Sequence, residues 1–225
     1  MGCYYLQAKF GAFRPFVSGS FRPTAGFITP SAAYGLLMNL AGLDMRRDDG
    51  ASVMTLTRKD PPAVRIAVGA LAPPRRHCIM QQLHNYPIGN AGKEHAKATR
   101  GAKYNIIPVK RELLSNIRAY IRTAENDSLD AQIIEGLNGN RPRAYGLPFL
   151  GDNNYLIDRF EPVRQPESAW WFEAVAENDD GIREGATRLT THIDRADLSK
   201  TRSILFAPTE PPQPDPPERA WVSMP

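Results

Sequence analysis

Tyr4, Leu6, Ala8 and Phe10 alternate with Cys3, Tyr5, Gln7 and Lys9, a period of two that predicts a β-strand. The stretch Gly11 to Gly26 is turn-rich, broken by Pro15, Gly19 and Pro23, and carries Arg14 and Arg22. The period then becomes helical. Thr29 suits a cap, Pro30 the first turn and Gly42 the end, with Tyr34, Leu37, Met38 and Ala41 on one face. Such a helix packs on a sheet. Val64, Ile66, Val68 and Ala70 alternate as a second strand, which Pro73-Pro74 breaks, and His77 to Leu83 predicts a third.

From His84 to Lys103 the pattern dissolves into about twenty polar, basic residues with glycines. A loop of that length inside a compact domain usually serves function. Tyr104 to Val109 reads as a returning arm, confined by Pro108 to a sheet edge or bulge. The expectation is a long hairpin or mobile loop projecting from the domain, with its tip near Gly89 to Gly92. Ile117, Ala119 and Ile121 then alternate with Arg118, Tyr120 and Arg122. A second helix is predicted over Asp127 to Leu137, with Leu129, Ile133, Ile134 and Leu137 inward. Strands are predicted at Tyr155 to Phe160 and Trp170 to Ala176, and weaker ones at Arg188 to Ile193 and Ser203 to Phe206.

The order strand, helix, strand, strand, helix, strand predicts an α+β, ferredoxin-like fold with extra C-terminal strands. Residues 1–207 would form this domain, with an insertion at about 84–103. Pro208 to Pro217 is proline-dense, so 208–225 is expected to be an extended tail outside the core.

The 225 residues, 42% of them apolar, can bury one domain core. No run of about 18 apolar residues occurs, so no membrane contact is expected. Met1 to Tyr5 lacks the features of a signal peptide, which predicts a cytoplasmic protein. Cys3 and Cys78 are too few for a disulfide framework and read as reduced, buried thiols. No metal or cofactor is expected: there is no phosphate-cradling glycine loop or GxGxxG fingerprint, and Asp44, Asp48 and Asp49 form no calcium loop. Gly151-Asp152-Asn153-Asn154 predicts a tight turn, and Trp170-Trp171-Phe172 predicts core packing on both faces of a strand, with a protein interface as the alternative.

The net charge of +4 says little, but its distribution says more. Between Arg75 and Arg122 ten basic residues face only Glu94 and Glu112, while the rest of the chain is net acidic. That is the footprint of a polyanion-binding segment, with a solvated surface as the plainer reading of charge alone. Single-stranded RNA asks for cations against phosphates and flat rings against bases. Arg118-Tyr120-Arg122 and the flanking Tyr86 and Tyr104 supply both. RNA cleavage would need a general base and a cation, for which His84 and His95 with Lys93, Lys97 or Tyr104, or His77 beside Arg75-Arg76, are candidates that no spacing compels.

Five segments carry a resemblance. They are Phe10 to Phe16, Thr29 to Leu37, Gln82 to Pro87, Lys103 to Glu112 and Tyr145 to Asn154. In this order the set resembles the fifth family of CRISPR-associated proteins, in particular a branch found with type I-B and related systems. The resemblance implies a modified ferredoxin-like (RRM-like) domain with a β-hairpin thumb at His84 to Lys103. It implies a subunit of Cascade that holds the 5′ handle of the crRNA and caps the backbone filament beside the large subunit, so that target DNA is met only indirectly. On that basis the RNA-contacting residues would be Arg14, Arg22, Arg75, Arg76, His84, Tyr86, Lys93, Lys97, Arg100, Lys103, Tyr104, Lys110 and Arg111. Cleaving members use a Tyr, a Lys and a His, the last two adjacent. Here Lys93-Glu94-His95 is the nearest approach, so the expectation is a non-catalytic subunit, with a metal-independent endoribonuclease as the rival.

Overall fold

The computed structural model describes residues 1–15, 21–47, 56–84, 106–143, 146–176, 183–192, 199 and 201–225. The elements are β1 (Cys3–Gly11), β2 (Phe21–Arg22), α1 (Pro30–Leu40), β3 (Arg46–Arg47), β4 (Leu56–Thr57), β5 (Val64–Ala70), β6 (Arg75–His84) and β7 (Ile106–Ala124). After these come α2 (Asp127–Leu137), β8 (Arg159–Pro162), β9 (Trp170–Ala174), β10 (Thr187–His192), β11 (Arg202–Pro208), a 3-10 turn (Glu218–Ala220) and β12 (Val222–Met224).

Local chemistry sets the two α-helices of the described residues. Thr29 Oγ1 accepts from Ala32 N at 3.2 Å and Pro30 opens α1. Asn126 caps α2 by accepting from Leu129 N at 2.9 Å, and Asp127 and Asp130 lie in its first turn, where the helix dipole favours negative charge. The helices cross closely at Gly136: an added Cβ there would lie 1.8 Å from Leu40 O.

The central strands stand in the order β8-β1-β7-β5, with neighbours antiparallel. With the helices after β1 and β7, this arrangement is consistent with the ferredoxin-like pattern. Beyond β5 the sheet continues through β9, β11 and β10, while β12 also pairs β5. Tyr4, Leu6, Ile66 and Ile121 face Leu37, Met38 and Ile133 of the helices across the main core.

β7 merges two expected strands into one. Its 19 residues extend roughly 60 Å at about 3.4 Å each. β5 and β6 lie end to end along the same edge of it, Ala70 opposite Ala119 and Arg75 opposite Ser115. Pro73-Pro74 fall at this changeover, where Asn116 of β7 takes φ 57°, a conformation that asparagine tolerates. Pro108 pairs with Gln82 of β6 and lies outside the two β7 residues, Lys110 and Arg111, that β2 pairs.

Three expectations shift. β8 starts at Arg159 rather than Tyr155, because Leu156 bridges Phe149 in the preceding loop. Cys78 is exposed, since β6 leaves the body of the sheet and has a solvent-facing side, and Cys3, at the start of β1, is half-buried. The C-terminal segment is not free of the core. Thr209 is buried, donating N–H to Trp171 O at 2.7 Å and accepting from Trp171 N at 3.0 Å, and Ala220 and Met224 are buried too. Backbone pairing of β12 with β5 and of Ala169 with Gln213 draws in a stretch whose prolines alone suggested isolation.

Candidate nucleic-acid interface

Where β6 leaves the body of the sheet, antiparallel pairing with β7 sorts side chains onto two faces. Arg75, His77, Ile79 and Gln81 share one with Ser115, Leu113, Arg111 and Val109; Arg76, Cys78, Met80 and Gln82 share the other with Leu114, Glu112, Lys110 and Pro108. β2 adds a third strand, parallel to β7, placing Phe21 beside Lys110 and Arg22 beside Arg111. Met80, Lys110 and Phe21 therefore form one row across three strands. All three are open to solvent, Met80 at 65% and Phe21 at 47%. A cation between a flat ring and a thioether suits a nucleotide, with the phosphate on Lys110 and the base on Phe21.

The neighbouring row braces the first. Glu112 accepts from Thr24 N at 3.1 Å and pairs with Arg76 at 3.5 Å. These contacts hold the chain that carries β2 against β7.

The opposite face is more closed. Arg111 is buried, donating to Asp152 Oδ2 at 2.5 Å and Gln81 Oε1 at 3.1 Å, with its guanidinium 5.2 Å from the Tyr155 ring centre. Burial pushes the Asp152 carboxyl up, but the Asn154 N–H and the Arg111 guanidinium outweigh it and hold its pKa below the ordinary value. Gly151 begins this turn at φ +73° and sits so close to Ala12 O that only glycine fits. His77 Nε2 lies 2.7 Å from Ser115 Oγ. Arg22 Nε is buried without a hydrogen-bond partner among the described residues.

The predicted site residues thus fall into groups. Arg22, Lys110 and Arg111 meet at the β2–β7 contact, and Arg75 and Arg76 enter the same strand pair lower down. Arg14 is exposed just after β1. Arg111 is committed to Asp152, which leaves Lys110 as the outward-facing cation of β7 at the β2 contact. Tyr86, Lys93, Lys97, Arg100, Lys103 and Tyr104 lie outside the described residues, as do His95 and the side chain of His84.

Phe21 and Met80 were not foreseen. A two-residue strand has no periodicity to detect, and Phe21 stood in a segment read only as turns.

The Arg118-Tyr120-Arg122 face differs from expectation. Tyr120 is buried, accepts from Glu167 N at 3.2 Å and packs with Trp171 and Ala220. Arg122 is paired with Asp215. The C-terminal segment lies over this side of the sheet, so only Arg118 remains exposed there. No helix among the described residues is long and apolar enough to cross a membrane. Among the same residues no cluster of three or more His, Cys, Asp or Glu side chains gathers.

Neither a protein-family model nor a curated protein matches the sequence. Solved structures do match. A chain described as a CRISPR RNA-guided surveillance complex aligns over 94% of this chain and 89% of its own at 12% identity and a TM-score of 0.56. The two share a fold. A second, described as the crystal structure of a Cas protein, aligns over 95% of this chain and 94% of its own at 14% identity and a TM-score of 0.48.

Proposed function

We propose that this chain is a non-catalytic, RNA-holding subunit of a type I CRISPR surveillance complex, an RRM-like domain that uses a β-hairpin thumb to grip the 5′ handle of the crRNA. The observation that carries this is the row Met80–Lys110–Phe21, built across three strands where the chain enters and leaves the basic segment. Fold similarity to a chain of an RNA-guided surveillance complex supports it. The backbone and large subunits would be its protein neighbours, and target DNA would be reached through them. Lysine and arginine carry phosphate affinity, and the exposed ring adds stacking that any base satisfies.

The test is binding of a repeat-derived handle RNA across a salt series. Neutralising Lys93, Lys97, Arg100 and Lys103 together should lower the slope of log K against log salt by roughly 3, at about 0.7 per phosphate contact on a single strand. An unchanged slope overturns the assignment of the thumb. Incubation of the same RNA with protein and a chelator should leave it intact. A single cut that His84→Ala or His95→Ala abolishes would make the chain an endoribonuclease instead.

A further inference from the structure

Arg76, half exposed and paired through Nη1 with Glu112 at 3.5 Å, has Nη2 beside Gly26 and so also lines an open cavity of about 340 Å3 bordered by β9, Pro73-Pro74 and the turn before β10. Trp170 and Phe172, two apart on β9, form one wall. Phe172 is fixed from behind by Phe27, ring centres 3.6 Å apart and nearly parallel, while Trp170 is half-buried at the opening. The rim carries Glu184 and Glu210, both exposed. It is held in shape by Arg183, which donates to Glu173 Oε1 at 2.8 Å and to Pro208 O.

The volume lies near the lower limit of ligand pockets, roughly 300–1,000 Å3, enough for a base and its sugar and too small for a folded segment. The chemistry of the lining narrows the occupant. Trp170 offers a face for stacking, and Arg76 a cation at the entrance. Two carboxylates repel phosphate and accept hydrogen bonds, so the buried group must present donors. Guanine presents an N1–H and an exocyclic amine side by side, matching the two oxygens of one carboxylate. Uracil turns carbonyl oxygens to the same groups, and adenine and cytosine offer one donor beside an acceptor nitrogen.

We infer that this cavity receives one unpaired guanine base of the bound RNA, stacked on Trp170, its edge read by Glu184 or Glu210 and its phosphate met by Arg76. This rests on the RNA-holding role and adds base selectivity to it.

The test measures anisotropy of labelled RNA dodecamers with the full chain. The probes are all uridine, or uridine with one central guanosine, inosine or adenosine. Guanosine should bind about tenfold tighter than all-uridine, the lower end for a bidentate base contact. Inosine, which keeps N1–H and lacks the amine, should fall between. Glu184→Gln with Glu210→Gln, both at exposed positions, should abolish the preference and leave all-uridine binding intact. Trp170→Ala should abolish it and Trp170→Phe retain it. Equal affinity for all four probes overturns the pocket while the RNA-holding role stands. Guanosine preference that survives the double glutamine variant also overturns it. Failure to bind any probe at low salt overturns both.

Discussion

Arg111 reaches from β7 to Asp152, its guanidinium 2.5 Å from Oδ2, and so ties the longest strand to the loop before β8. Removing one partner strands a largely buried charge, which typically costs about 3 kcal/mol. Arg111→Ala should therefore lower the unfolding free energy by about that amount in urea titrations. Arg111→Lys should recover only part, because a lysine reaches Asp152 but lacks the planar fork that also serves Gln81.

The same pair makes acid stability predictable. Asp152 has a folded pKa below its unfolded value, so its carboxylate stabilises the fold above the unfolded pKa, about 3.9. That contribution disappears as pH falls from about 4 through the folded value. Melting curves should drop more steeply across this range in the parent protein than in Asp152→Asn. Parallel acid limbs would mean that another carboxylate governs the transition.

The exposed row separates charge from stacking. Lys110→Ala should weaken binding to all RNAs alike and lower the salt slope by about 0.7. Phe21→Ala should cost about 1–3 kcal/mol of affinity with the slope unchanged. Arg111→Ala, measured beside them, should leave the slope as it is. A slope that falls with Arg111 rather than Lys110 would reverse which face of the strand pair meets RNA.

Two helical glycines should respond in opposite directions. An added Cβ at Gly35 meets nothing within 4 Å, so Gly35→Ala should stabilise by about 0.5–1 kcal/mol through helix propensity. At Gly136 the same change presses on Leu40 O and should destabilise by about 2 kcal/mol or more, through forced separation of the helices. Thermal melts of the pair provide the check.

Much of the fold was legible because periodicity records burial. β1, β5 and both helices stand close to where alternation and capping residues put them. The faces were harder to assign. Arg118-Tyr120-Arg122 looks like a solvent-facing strand until the C-terminal segment covers it, and no local pattern announces that Thr209 and Gln213 pair with β9 and the residue before it. At the interface, charge counting found Lys110 and Arg111 together. Only pairing register and the turn at Gly151–Asn154 divide them into an outward cation and an inward brace. Phe21 was invisible because its role depends on a neighbour 89 positions away in sequence, Lys110.

An unbroken β7 has a geometric corollary. One end is clamped between β1 and β5 under the two helices, and the other carries the outer half of the β6 pair. Asn116 and Pro73-Pro74 mark where its partner changes from β5 to β6. Since one strand runs through both, the direction in which the far arm leaves the domain is set at Ile117 and Ile121, buried at the clamped end.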